Sequence, residues 1–217
     1  MSSGVFFAFG VHNHQPLGNF EHVFEEATQL AYRPFLQVLE RFPNIRVSLH
    51  FTGILLEWVA GHHPDLVDSL RRMIERGQIE MLTGGYYEPI LPMIPDRDKI
   101  GQIRKLTKYI RDLLGYDATG MWLAERVWEP QLAKPIAEAG VQYVIVDDAH
   151  FKMVGLTDEE LLGYYITEEQ GYPLAIFPIS EKLRYYIPFK LVEDVMDFMK
   201  SMTTEQGNRL LVLADDG

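Results

Sequence analysis

The sequence predicts an α/β fold in which parallel strands alternate with helices. Three observations carry that expectation. Strand-length apolar runs alternate with amphipathic helical stretches about seven times along the chain. Residues 141–147 (VQYVIVD) are almost continuously apolar, as in a strand covered on both faces. Unusual polar residues gather just after the strand-like runs, where parallel α/β folds build their sites. Periodicity alone leaves two architectures open, a closed barrel and an open doubly wound sheet.

Each element has its own signal. Residues 5–11 read as the first strand. Residues 21–42 are helix-like, with Val23, Phe24, Ala27, Leu30 and Ala31 at helical spacing. Pro34 should start a new helical turn there or kink the helix. Residues 45–51 (IRVSLHF) form the second strand. Residues 64–76 form a helix with Pro64 at its start and Gly77 past its end. Residues 78–83 are the third strand, and residues 97–114 a helix stopped by Gly115. Residues 119–124 are the fourth strand, followed by a helix over 130–139 that Gly140 ends. After the fifth strand, residues 174–178 and 210–213 supply the sixth and seventh. Between them, residues 191–202 are helical, with Val192, Val195, Met196 and Met199 on one side. Residues 151–172 break the rhythm; acidic and rich in tyrosine, they read as an excursion on the rim.

Composition excludes several classes. The chain has 217 residues, 47% of them apolar, too many for a disordered polymer. It has no cysteine, so neither a disulfide framework nor a thiolate metal site is available. A formal charge of −11 argues against nucleic acid as a partner, because phosphate binding needs a basic surface. The start carries neither a basic leader nor a cleavage pattern, and no apolar run reaches the roughly 20 residues of a membrane span. The expectation is a cytoplasmic protein without a membrane partner, its oligomeric state not encoded in any pattern.

The polar residues at the strand ends suggest the chemistry. The first strand runs into His12-Asn13-His14-Gln15-Pro16, and the second ends in His50 and Thr52. Gly84-Gly85-Tyr86-Tyr87-Glu88-Pro89 follows the third. The fourth runs into Trp122-Leu123-Ala124-Glu125-Arg126, the fifth into Asp147-Asp148-Ala149-His150, and the seventh into Asp215-Asp216-Gly217. His-x-His on one strand puts both rings on one face, which suits a metal pair or a hydrogen-bonded structural element. Glu125, flanked by Trp122, Arg126 and Trp128, is the first catalytic candidate; a structural Glu125–Arg126 ion pair is the plainer alternative. Aromatic planes beside carboxylates suit sugars, whose C–H faces pack on rings while their hydroxyls bond to carboxylates and imidazoles. Glycoside chemistry needs two carboxyl groups, and Glu125 and Asp216 lie on different strand ends. Glu80, Glu88, Glu129, Asp147, Asp148 and Asp215 compete for those roles.

On these residues the chain resembles glycoside hydrolase family 57, within it the 4-α-glucanotransferase and α-amylase group. The resemblance spans the whole chain. It is carried by His12-Asn13-His14-Gln15-Pro16, by Gly77-Gln78-Ile79-Glu80 running on to Glu88-Pro89, by Trp122 to Pro130, and by Asp215-Asp216-Gly217. It implies an incomplete (β/α)7 barrel over residues 1–217 and a retaining mechanism on α-1,4-glucans or maltooligosaccharides. Carried over by position, Glu125 is the nucleophile and Asp216 the general acid/base. His12, His14, Glu80, Glu88, Trp122 and His150 are implied substrate contacts. No cofactor and no metal are implied. Family members continue past the fourth motif, whereas this sequence ends at Gly217; the expectation is a truncated domain with weak activity or none. Two other readings compete, a metal-dependent polysaccharide deacetylase and a non-catalytic glucan-binding fragment. The deacetylase carries Asp-Asp-Gly on its first strand rather than its last.

Overall fold

The computed structural model describes residues 4–217. Residues 1–3, the front of the segment read above for a targeting signal, lie outside it. The elements run β1 (Phe6–Asn13), α1 (Glu21–Ala27), α2 (Arg33–Arg41), β2 (Val47–Phe51), α3 (Gly53–His62), α4 (Pro64–Glu75), β3 (Ile79–Leu82), α5 (Asp96–Leu114) and β4 (Gly120–Trp122). They continue through α6 (Ala133–Glu138), β5 (Tyr143–Asp147), α7 (Asp148–Lys152), β6 (Tyr165–Glu169), β7 (Tyr172–Ile179), α8 (Glu181–Tyr186), α9 (Val192–Ser201) and β8 (Leu210–Asp216). A π-helical segment, Thr28–Tyr32, joins α1 to α2, and the α-helix resumes with Pro34 in its first turn. The proline lacks an N–H to give, so a position where none is required suits it.

The strands form two sheets, ordered β3-β2-β1-β8 and β4-β5-β7-β6. All pairings are parallel except that of β6 with β7. The sheets meet along both edges. At one edge Thr83 N–H donates to Gly120 O and Trp122 N–H to Thr83 O, each at 2.8 Å. At the other, Ser180 N–H donates to Val212 O at 2.8 Å. The result is an incomplete (β/α)7 barrel, with β6 added as an antiparallel outer strand.

Inside the barrel, Leu82, Trp122, Ile145, Ile179, Val212 and Ala214 pack together with Tyr143 and Phe177. Outside it, the apolar faces of α1 to α5 bury β1 to β3, and α6 covers β5 and β7. Leu183 of α8 and Phe198 and Met199 of α9 close over β8. Among the described residues no helix is long and apolar enough to cross a membrane.

Several expectations are refined. The excursion over residues 151–172 is structured: it holds the end of α7, the strand β6 and the turn into β7. Its alternation of half-buried and exposed residues fits a strand paired on one edge. Helices α3, α7 and α8 carry no strong periodic signal; α7 and α8 are 5 and 6 residues long. The last strand runs three residues beyond the expected 210–213, to Asp216, because β1 pairs with it throughout.

Gly120 shows how tightly the interior is filled. A Cβ there would lie 2.1 Å from the Tyr143 ring, which belongs to the adjacent strand. Gly120→Ala should therefore destabilise the barrel by about 1–3 kcal/mol through overpacking, read as a lower denaturant midpoint. An unchanged midpoint would mean that Tyr143 has another place to go.

Candidate active site

Strand register assembles the site. His12 of β1 stands beside His50 of β2 on one side and Asp216 of β8 on the other. The β1 segment then continues to His14. His12 is buried at 8% exposure, and its ring lies flat on Trp122, with centroids 4.5 Å apart and planes 5° apart. Trp122 comes from the far sheet, so this stack ties the two halves of the barrel together at the mouth. His12 Nδ1 lies 2.7 Å from Nδ1 of His50.

Glu88 reaches the same place from the loop after β3. It adopts a left-handed backbone at φ 55°, unusual for a residue other than glycine. Gly84 and Gly85 permit the approach: a Cβ on Gly84 would lie 2.6 Å from His50 Nε2, and one on Gly85 2.6 Å from Pro89. One oxygen of Glu88 is 3.0 Å from His12 Nε2, and the other forms an ion-pair contact with His14 Nδ1. Burial opposes a charge on Glu88, but the hydrogen bonds from His12 and His14 outweigh it and hold the carboxyl down at about 2. The hydrogen bond to Glu88 raises His14, and the charges of Glu125 and Asp216 raise it further. Both proposed catalytic carboxylates thus act on one imidazole.

Glu125 follows β4 in a tight turn, also left-handed at φ 50°, and Arg126 follows at φ 53°. Such strain persists only where neighbouring structure enforces it, and it is concentrated at functional sites. Arg126 does not pair with Glu125. It turns to Asp147 of β5 at 3.1 Å, and its carbonyl meets His150 Nε2 at 3.1 Å. Arg184 of α8 bridges Asp147 at 3.5 Å and Asp215 of β8 at 2.9 Å. Asp215 in turn accepts the backbone N–H of Asp216 at 3.1 Å. A chain of alternating charges therefore links the ends of β4, β5 and β8 and buttresses both Glu125 and Asp216.

Glu80 does not join this group. It aligns with Ser48, and Ser48 with Gly10, two positions below the His12–His50 level. At about 3.3 Å per residue it lies deeper in the barrel. There it accepts hydrogen bonds from Tyr143 Oη at 2.5 Å and Ser48 Oγ at 2.9 Å. Burial, then the Glu80 charge, pushes the Tyr143 phenol up. His12, His14, Glu88, Trp122, Glu125 and Asp216 come together, with His150 held against the Glu125 turn. His50 and Arg184 are functional neighbours with no role in the sequence reading, and Asp147, there a competing catalytic carboxylate, instead pairs with Arg126 and Arg184. Strand-end position flagged His50 and Asp147; their partners are distant in sequence. The ligand atoms of His12, His14 and Glu88 lie within 4.8 Å of one another, so this is the one group among the described residues with metal-ligating potential.

The model of glycosyl hydrolase family 57 matches residues 8–217. The chain belongs to that family. It is 52% identical over 217 residues to alpha-amylase 1 of Dictyoglomus thermophilum, covering 100% of this chain and 32% of the relative. It is 51% identical over 211 residues to the 4-alpha-glucanotransferase of Thermococcus litoralis, covering 97% of this chain and 32% of the relative. The crystal structure of the T. litoralis glucanotransferase superposes with a TM-score of 0.95 at 50% identity, over 99% of this chain and 34% of that one. A family 57 branching enzyme from Thermococcus kodakaraensis, at 13% identity and a TM-score of 0.78 over 98% of this chain and 64% of that one, shares the fold. The chain thus spans about a third of the length of the curated relatives it matches.

The Glu88 pair gives stability a pH signature. Its depressed carboxyl contributes above the unfolded value of 4.5, and that contribution is lost as pH falls toward about 2. The raised His14 contributes fully below 6.5, and its share is lost as pH rises through its elevated value. Glu88→Gln should therefore cost most stability between about pH 4.5 and 6.5, with a smaller cost at higher pH. Denaturant melts of both proteins across pH would show it; a gap that widens above neutrality would contradict the pairing.

Proposed function

We propose that this chain forms the catalytic barrel of a retaining enzyme acting on α-1,4-glucans such as starch, glycogen or maltooligosaccharides, by transfer or hydrolysis. One observation carries the reading most: Glu125 and Asp216, on separate strand ends, both act on His14, next to the stack of His12 on Trp122. Membership of family 57 and relatives named α-amylase and 4-α-glucanotransferase support the substrate class.

The reaction is a double displacement. The Glu125 carboxylate attacks the anomeric carbon, and the bond to the departing glucan breaks as Asp216 gives its proton to the leaving oxygen. The deprotonated Asp216 then takes a proton from the acceptor hydroxyl, whose oxygen displaces Glu125. A sugar acceptor gives transfer, and water gives hydrolysis. His14 and Glu88 line the sugar site with hydrogen-bonding groups, and His12, backed by Trp122, holds Glu88 in place. His150 supports the Glu125 turn. The chemistry needs no metal.

Glu125→Gln and Asp216→Asn should each abolish turnover of maltotriose by the protein, as seen by thin-layer analysis of products. Longer and shorter oligomers from the unmodified protein would identify transfer, and glucose and maltose alone hydrolysis. Near-normal rates in either variant would remove that residue from its role.

A further inference from the structure

The sugar-site reading leaves His50 without a task, yet it is held with unusual care. Its side chain is 1% exposed, and burial, reinforced by His12, pushes it well below the ordinary imidazole range. Its Nδ1 meets His12 Nδ1 at 2.7 Å. Its Nε2 is buried without a hydrogen-bond partner, against a glycine whose missing Cβ would lie 2.6 Å away.

A count of protons decides what this arrangement does. Two imidazole nitrogens in contact share one proton, so one donates and the other accepts. Glu88 is ionised and can only accept, so the His12 Nε2 that faces it at 3.0 Å carries a proton. The proton shared between the two Nδ1 atoms then belongs to His50, which donates from Nδ1–H to a bare His12 Nδ1. His50 is left with a bare Nε2, the nitrogen that lacks a partner. The reverse assignment gives His12 a second proton and puts an N–H on His50 Nε2, buried with no acceptor, the more costly way to leave a group unpaired.

We propose that His50 is a positioning residue: its Nδ1–H fixes His12 in the tautomer that presents Nε2–H to Glu88. Trp122 stacked on the His12 face limits tilting of the ring, so His50 supplies the remaining constraint, on the proton. Gly84 leaves the room in which His50 sits. The same count opposes a metal on His12 Nε2, because the proton would have to move to Nδ1 and strand one on His50 Nε2. The tautomer stands on geometry alone; its value to turnover rests on the sugar-site reading above.

Long-range proton–nitrogen correlation spectra of this chain at neutral pH test it directly. His12 should be protonated at Nε2 and bare at Nδ1, and His50 the reverse; the opposite pattern for either ring overturns the proposal. His50→Asn places an amide N–H where Nδ1–H was, whereas His50→Leu fills similar space without a donor. The Asn variant should keep the His12 nitrogen pattern and kcat/KM on maltooligosaccharide close to those of the unmodified protein. In the Leu variant Glu88 still holds the proton on Nε2, but Nδ1 has lost its donor, so the bare-Nδ1 signature should be lost, and kcat/KM should fall on the order of a hundredfold. Circular dichroism checks that both fold. Equal losses in the two variants would mean that His50 only fills space, and the proposal fails. If the unmodified protein turns nothing over, the nitrogen pattern still decides the tautomer, and the failure falls on the proposed activity.

Discussion

The site depends on the parallel ladder between the first and last strands. β1 pairs with β8 from Phe6 with Leu210 through His12 with Asp216, and Gly217 N–H extends it by donating to His12 O at 2.8 Å. That pairing joins residues about as far apart as the chain allows. Its closure entropy is offset by a ladder of hydrogen bonds and by apolar burial on both faces. Gly10 and Gly217 let the strands approach: a Cβ on Gly10 would lie 3.3 Å from that of Ala214, and one on Gly217 2.6 Å from Val11 Cγ1. Without the ladder, the His12–His14 segment and the proposed acid would not stand side by side.

Around this rigid centre, His12 and Asp216 sit at the ends of strands, whereas Glu88 and Glu125 sit on turns that follow strands. Glu88, Glu125 and Arg126 account for three of the four non-glycine residues with positive φ among those described. The barrel fixes where the turns start, and local contacts hold them: glycines below Glu88, and the Arg126–Asp147–Arg184–Asp215 chain below Glu125 and Asp216. Five carboxylates crowd one mouth of a chain whose net charge is −11. Two arginines and the raised His14 balance them locally, which lets one face stay acidic without flying apart.

The alternation of strand and helix was legible because each parallel strand is buried on both faces and each covering helix on one. Polar residues such as His12, Glu125 and Asp216 stood out for the same reason: they interrupt apolar runs just where strands end. Depth was not legible. Glu80 lies in a family motif, but a two-residue difference in strand position places it in the layer below, bonded to Tyr143 and Ser48. Partnership was not legible either. Arg126 adjoins Glu125 in sequence yet pairs with Asp147, since consecutive residues in a left-handed turn diverge. His50 meets His12 across 38 positions, a distance that only strand register closes. The antiparallel β6 escaped because its acidic, tyrosine-rich sequence matches an exposed loop as well as an edge strand.

The central claim is that the turn after β4 delivers the nucleophile to a site closed by β1 and β8. A fluorinated glucosyl fluoride, which slows release of the second step, tests it by trapping the sugar on the protein. Peptide mapping by mass spectrometry should then find one sugar on the peptide containing Glu125, and none after Glu125→Gln. A sugar attached to Glu88, Asp215 or Asp216 instead would contradict the account.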